Sequence, residues 1–377
     1  MKVLHFYKTY YPDGYGGIQQ VIYQLAEGTA EHGIHSDVLF LSQSEERSYV
    51  TSGQHRVHSS RLNFEVASTG FSWEVISRFR KLASEADIIH YHFPWPFMDV
   101  VHFLAGIKKP IVVSYHSDIV KQKYLLQLYK PLMHLFLRQA NVIVAASPAY
   151  IQHSPVLKHY KNKTRVITYG LDESTYPKPE ASALEKWRSQ LPEKFFLFVG
   201  ALRYYKGLHF LLLAAAQTGL PVVIVGSGGV EAELHEQAGQ LGLNNVIFTG
   251  ALADTDKVVL LQLCTAFVFP SYLPSEAFGI SLLEAAMYGK PMISCEIGTG
   301  TTFINIHEET GLAVGPADPT ALAQAMVRLW SAPEQCKQMG NKARVRFEQQ
   351  FTSAVMAKSY AGLYKSLLAP KKYSGAD

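Results

Sequence analysis

The sequence holds only three cysteines, Cys264, Cys295 and Cys336, and none falls in a CxxC or zinc-ligand spacing. An odd number so placed gives neither a disulfide framework nor a structural metal, and it fits a reducing compartment. Long apolar runs are also missing: stretches such as 210–216 and 258–261 stop far short of the roughly 20 residues that a spanning helix needs. The opening Met1-Lys2-Val3-Leu4-His5 reads as a buried strand, without the apolar core or cleavage site of a secretory leader, so the expected compartment is the cytoplasm. Charge of one sign is scarce as well. Lys and Arg number 35 against 31 Asp and Glu, too small a surplus to make nucleic acid the expected partner. No GxGxxG follows the first strand, so a nicotinamide fingerprint is unsupported.

What is present is an alternation of short apolar runs with helical patterns. In the first half, strands are expected at 3–6, 36–41, 88–92, 111–115, 142–145 and 165–169, with helices at 19–32 and 122–138. In the second half, strands at 195–199, 222–225, 246–248, 266–269 and 291–294 alternate with helices at 208–218, 230–239, 256–264 and 279–288. This grammar predicts an α/β fold of two Rossmann-like, doubly wound parallel-sheet domains. The boundaries expected are 1–172, a proline-bearing linker at 173–192, and 193–351, with 352–370 as a terminal amphipathic helix. Ligands of such sheets bind at the carboxyl ends of the strands, and the expected site is the cleft between the domains.

The richest stretch runs from Pro270 to Pro291. A strand ends at Phe269, a loop with two prolines carries Glu276, Gly279 opens a helix, and Glu284 lies inside it. Free amides at a helix start favour a phosphate oxygen, and carboxylates accept bonds from sugar hydroxyls. The plain alternative is acidic residues placed to suit the helix dipole. Upstream, Phe198-Val199-Gly200-Ala201-Leu202-Arg203-Tyr204-Tyr205-Lys206-Gly207 runs from a strand into a loop with two cations, a fork and a point charge able to neutralise a diphosphate.

Glu276 and Glu284, with seven residues between them, resemble the EX7E motif of retaining GT-B glycosyltransferases of family 4, the glycosyl transferases group 1. The resemblance spans nearly the whole chain and implies the GT-B fold, with the two domains facing a cleft and the terminal helix crossing back onto the first. It implies that Glu276 contacts the transferred sugar, that Glu284 holds the ribose hydroxyls, and that the amides of Phe278, Gly279 and Ile280 lie near sugar and phosphate. Lys206 and Arg203 would bind the pyrophosphate, although Ala201 stands where relatives often carry an arginine, which favours Lys206. Gly16 and Gly17, in the loop Tyr10-Tyr11-Pro12-Asp13-Gly14-Tyr15-Gly16-Gly17-Ile18, would approach the donor phosphates and the acceptor. His116, ending the strand Val113-Ser114-Tyr115, would sit in the donor-sugar pocket, and Gly226 in a loop beside the nucleobase. Thr299 belongs to Gly298-Thr299-Gly300-Thr301-Thr302, a departure from the Gly-Gly-x-x-Glu of many relatives. That form, with the Lys8-Thr9-Tyr10-Tyr11-Pro12 opening, resembles mannosyl- and rhamnosyltransferases of bacterial O-antigen and lipopolysaccharide assembly.

The expectation is therefore a retaining hexosyltransferase, metal-independent and without a cofactor. It would move mannose or rhamnose from a GDP-sugar to a saccharide or polyprenyl-linked saccharide. A UDP-sugar donor, a hydrolysing nucleotide-sugar epimerase and a non-catalytic nucleotide-sugar sensor are the alternatives. Two metal signals are set aside. His90-Tyr91-His92 forms an HxH pair with no carboxylate or cysteine spaced to complete a site. Asp254-Thr255-Asp256 reads as DxD but directly precedes an apolar-periodic stretch, where Asp is expected as a helix N-cap. The basic, apolar segment from Lys121 to Arg138 is open to two readings: a crossover helix, or an amphipathic surface for peripheral contact with the inner face of an anionic membrane.

Overall fold

A computed structural model of the chain describes residues 1–44, 48–50, 53–119 and 123–370. The chain divides into two compact units. One comprises Met1–Ala146, Ser154–Gly170 and the residues from Ser353 onward; the other comprises Ser147–His153 and Leu171–Thr352.

The first unit is built on an eight-stranded sheet in the order Thr164–Val166, Val142–Ala145, Ile111–Tyr115, Ile88–Phe93, Lys2–Phe6, His35–Ser42, Arg56–Arg61 and Ser48–Val50. All neighbours pair in parallel except the last two. Central parallel strands are buried on both faces and so are written as apolar runs. Ile88–Phe93 is buried at every position yet carries His90 and His92, with His5 in register beside His90. Histidines there must find partners inside the core. The strand Arg56–Arg61 has no apolar run to announce it; Asp37 on its neighbour accepts from His58 at 2.6 Å and pairs with Arg56 at 3.1 Å.

The helix Ser353–Leu368 lies in this first unit, against the helix Gly17–Ala30. A Cβ at Gly28 would come within 2.9 Å of that of Ala357, so glycine sets how closely the two helices approach. Tyr360 and Tyr364 reach from it into the sheet, where their hydroxyls meet Ser114 Oγ at 2.8 Å and His90 Nδ1 at 2.6 Å. Of the basic segment, Lys121 and Gln122 lie outside the described residues, and Lys123–Gln139 is a helix containing Pro131.

The second unit has a six-stranded parallel sheet ordered Val246–Gly250, Val222–Val225, Phe196–Val199, Ala266–Phe269, Met292–Cys295 and Gly311–Val314. The chain lays down Phe196–Val199, moves to one side for two strands, then returns to the other side with Ala266–Phe269. The order reverses between these two strands, which makes their carboxyl ends the place where an open α/β sheet has room for a ligand.

The segment 173–192, expected as a linker, is structured and belongs to the second unit. Asp172 caps a short turn at Glu173–Thr175, and a helix follows at Ala181–Gln190. Its Trp187 is buried and donates from Nε1 to Asp256 at 2.5 Å. The prolines mark the ends of elements, not an absence of structure. Ser147–His153, inside the expected first domain, also belongs to the second unit.

Candidate active site

At the switch point two loops are locked together. Lys206 ends a 3-10 turn, Tyr204–Lys206, just beyond the strand Phe196–Val199. Its ammonium donates to Glu276 Oε2 at 2.5 Å and lies 4.5 Å from the ring centroid of Phe269, the last residue of the neighbouring strand. Ser271 Oγ donates to the same carboxylate oxygen at 3.3 Å. Both ionic residues are only 9% exposed. A pair so sheltered holds its geometry, and any anion that enters meets a cation already fixed in place.

Backbone contacts fasten this arrangement. Tyr272 N donates to Tyr205 O at 3.1 Å, and Gly207 adopts φ +69°, where a Cβ would lie 2.1 Å from the Pro270 carbonyl oxygen. No side chain fits there without prising the two strand ends apart. Gly207→Ala is therefore expected to cost about 1–3 kcal/mol through strain and overlap. Thermal melts check this, and a variant with the wild-type melting temperature would refute the interlock. A third strand end joins similarly: Gly226 has φ +137°, and a Cβ there would meet Gly200 O at 2.0 Å.

The helix Ile280–Met287 starts at Gly279, φ +101°, with no side-chain cap, so its first amides are open to an anion. Phe278 is buried. Gly300 N donates to Ala277 O at 2.8 Å, which brings the 298–302 loop against the Glu276 loop. Beside it, Thr299 is buried and its Oγ1 makes no hydrogen bond among the described residues, a hydroxyl that asks for a partner. Glu284, 4% exposed, accepts at Oε1 from the Tyr176 hydroxyl and from Lys257 Nζ, each at 3.0 Å. Burial works against the charge of Lys257, but the Glu284 and Asp254 carboxylates outweigh it and hold the ammonium above its ordinary pKa.

In the first unit, Gly16 and Gly17 open the helix Gly17–Ala30 and are exposed. Their loop is anchored by Tyr10, whose hydroxyl shares a hydrogen bond of 3.0 Å with His55, itself bonded to Glu27. His116 is buried at the end of the strand Ile111–Tyr115, and both its ring nitrogens are engaged: Nε2 with His92 Nδ1 at 2.9 Å, Nδ1 with the Tyr169 hydroxyl at 2.5 Å. His92 continues the chain to His5 Nδ1 at 3.1 Å. The HxH pair thus has a third member, His5, with ligand atoms of all three within 4.8 Å. The nitrogens of His90 and His92 are already hydrogen-bonded, and within the cluster only His5 Nε2 lacks a partner among the described residues.

Residues 181–346 match the family described as Glycosyl transferases group 1, and residues 15–175 match Glycosyltransferase Family 4. The D-rhamnosyltransferase WbpZ of Pseudomonas aeruginosa is 59% identical over 94% of this chain and 93% of its own length. The chain belongs to the group 1 glycosyltransferases. The O-antigen chain mannosyltransferase C of Escherichia coli is 51% identical over 98% of this chain and all of its own. Sucrose-phosphate synthase from Thermosynechococcus elongatus, at 24% identity, superposes with a TM-score of 0.81 over 98% of this chain and 99% of its own. That likeness speaks for the fold, the GT-B class with two parallel-sheet α/β units.

In this glycosyltransferase the structure brings Lys206, Glu276, Phe278, Gly279, Ile280 and Thr299 to neighbouring loops of one sheet edge. Arg203, at the start of the same turn as Lys206, is exposed and no described side chain pairs with it. The DxD stretch is not an N-cap: Ala253 holds that position, and Asp254 and Asp256 lie in the first turn, bonded to Lys257 at 2.7 Å and to Trp187. Acidic residues suit a first turn because of the exposed amides, and here each also has a specific donor. Sequence reasoning missed Lys257 and Tyr176. A positive residue at the first turn of a helix, where the dipole disfavours it, is the one local signal that pointed to Lys257.

Proposed function

We propose that this glycosyltransferase moves mannose or rhamnose, with retention, from a GDP-sugar to a saccharide or polyprenyl-linked acceptor in O-antigen assembly. The observation that carries the reading is the buried Lys206–Glu276 pair beside an uncapped helix start that bears Glu284. The similarity to a rhamnosyltransferase and an O-antigen mannosyltransferase supports the sugar and the product. Lys206 and Arg203 neutralise the diphosphate, so the site needs no metal ion for that purpose. As the sugar carbon–oxygen bond to the diphosphate breaks, the acceptor oxygen bonds to that carbon on the same face, and the acceptor proton passes to a phosphate oxygen. Glu276 orients the sugar, and no protein nucleophile takes part. The apolar residues Tyr124, Leu128 and Leu135, exposed at helical spacing while Met133, Phe136 and Leu137 are buried, support peripheral contact with the inner membrane face.

The test is a titration with GDP, UDP and ADP in the absence of metal, followed by transfer assays with GDP-mannose and GDP-rhamnose. GDP selectivity is expected, with Glu284→Ala weakening affinity about 10- to 100-fold, the range of one hydrogen bond to a charged group. Glu276→Ala should lower turnover more than affinity. UDP selectivity would overturn the donor, and nucleotide release without sugar transfer would favour an epimerase.

A further inference from the structure

Glu284 sits on the helix Ile280–Met287, yet its carboxylate is held from two other places in the second unit. Tyr176 reaches it from 108 residues away in sequence, across the segment expected to be a linker, and Lys257 reaches it from the helix Asp254–Leu263. Both bonds, 3.0 Å each, end on Oε1, while Oε2 accepts no hydrogen bond among the described residues. Asp254 in turn holds Lys257 Nζ at 2.7 Å. A carboxylate this buried needs a cation nearby to stay charged, and two donors on one oxygen fix the plane of the group. What remains is one charged oxygen with a set direction.

We propose that Lys257 and Tyr176 are positioning residues for ribose recognition, holding Glu284 by Oε1 so that Oε2 accepts from the ribose hydroxyls of the nucleoside diphosphate. The inference rests on the reading of Glu284 as the ribose contact. It assigns function to the Asp254–Lys257 turn and to Tyr176, which no motif marks. A cation acting in this way tunes discrimination between sugars of the nucleotide. A cation that merely pins two helices does not.

The readout is therefore a ratio of affinities. Full-length protein, wild type and variants, is titrated with GDP, 2′-deoxy-GDP and 3′-deoxy-GDP. Wild type is expected to prefer GDP over at least one deoxy form by about 10-fold or more, the worth of a hydrogen bond to a charged group. Lys257→Met should weaken GDP binding while leaving that deoxy nucleotide nearly unchanged, so that the ratio falls towards one; Lys257→Arg should keep most of it. Tyr176→Phe removes a single oxygen and should reduce the ratio less, and it serves if Lys257→Met folds poorly. Equal weakening for all three nucleotides in both variants would overturn the inference while leaving Glu284 in place, provided Glu284→Gln still collapses the ratio. A wild type without preference, or a Glu284→Gln variant that keeps it, would overturn the ribose reading itself.

Discussion

Lys206→Ala is expected to lower the rate of sugar transfer by about 10²–10³-fold, the cost of removing one preorganised group that stabilises developing charge. The ammonium is held between Glu276 and the face of Phe269, and its turn is fixed by Gly207 against Pro270. No other described cation shares that position, and Arg203 lies exposed at the mouth of the turn. The substitution also leaves Glu276, 9% exposed, without its cation, a loss that costs about 3–5 kcal/mol when a pair is fully buried and less at this partial exposure. Stability and chemistry are separated by a second variant. Lys206→Met combined with Glu276→Gln removes both charges, so the melting temperature should recover while transfer stays low. Lys206→Arg should remain impaired, because a planar fork does not fit the place of a point charge between an aromatic face and one carboxylate oxygen. Wild-type transfer by a folded Lys206→Ala protein would remove the diphosphate role altogether.

The elements legible in the sequence are those whose pattern is local. The helix Leu208–Thr218 lies where its apolar run and the flanking Gly207 and Gly219 put it, and the strands Val222–Val225 and Ala266–Phe269 are apolar because both faces are buried. Arg56–Arg61, in contrast, reads as polar, and only its pairing with Asp37 makes it a strand partner. The candidate site divides in the same way. Glu276 and Glu284 are visible as a spaced pair, but each is completed by its own lysine, Lys206 at 70 residues' separation and Lys257 at 27. Such contacts follow from strand order, which spacing along the chain does not encode. Tyr176 was hidden for a further reason: prolines around it suggested a linker, while its ring is buried and its hydroxyl is spent on Glu284. His5 escaped notice as a partner of His90 and His92 because it lies on the neighbouring strand, in register with His90.

Those histidines make the first unit acid-sensitive. His5, His92, His116 and Tyr169 form one hydrogen-bonded chain, and a bond between two imidazoles needs one nitrogen protonated and the other bare. Neutral rings satisfy the whole chain with a single direction of donation; an added proton places a positive charge in the buried core with no carboxylate in the chain to compensate it. Burial pushes His5 and His116 down to about 3, with the charge of His55 adding to the effect at His5 and Asp37 opposing it, and burial likewise holds His90 and His92 well below the ordinary value. The folded pKa lies below the unfolded one of about 6.5, so the unfolded chain binds protons first. Stability is then complete above pH 6.5 and is lost as the pH falls towards 3. Between pH 7 and 5 the cost is about 2 kcal/mol for each of His5 and His116. His90 and His92 act in the same direction, against a typical total stability of about 5–15 kcal/mol. Urea unfolding of the full chain from pH 8 to 5 should therefore show the midpoint falling steeply below pH 6.5. His5→Gln, which removes one titrating ring at the end of the chain, should flatten that slope by about one proton even though the variant is less stable at pH 8. A midpoint that stays level between pH 7 and 5, or a His5→Gln slope equal to that of the wild type, would show that the buried rings are not what limits stability in acid.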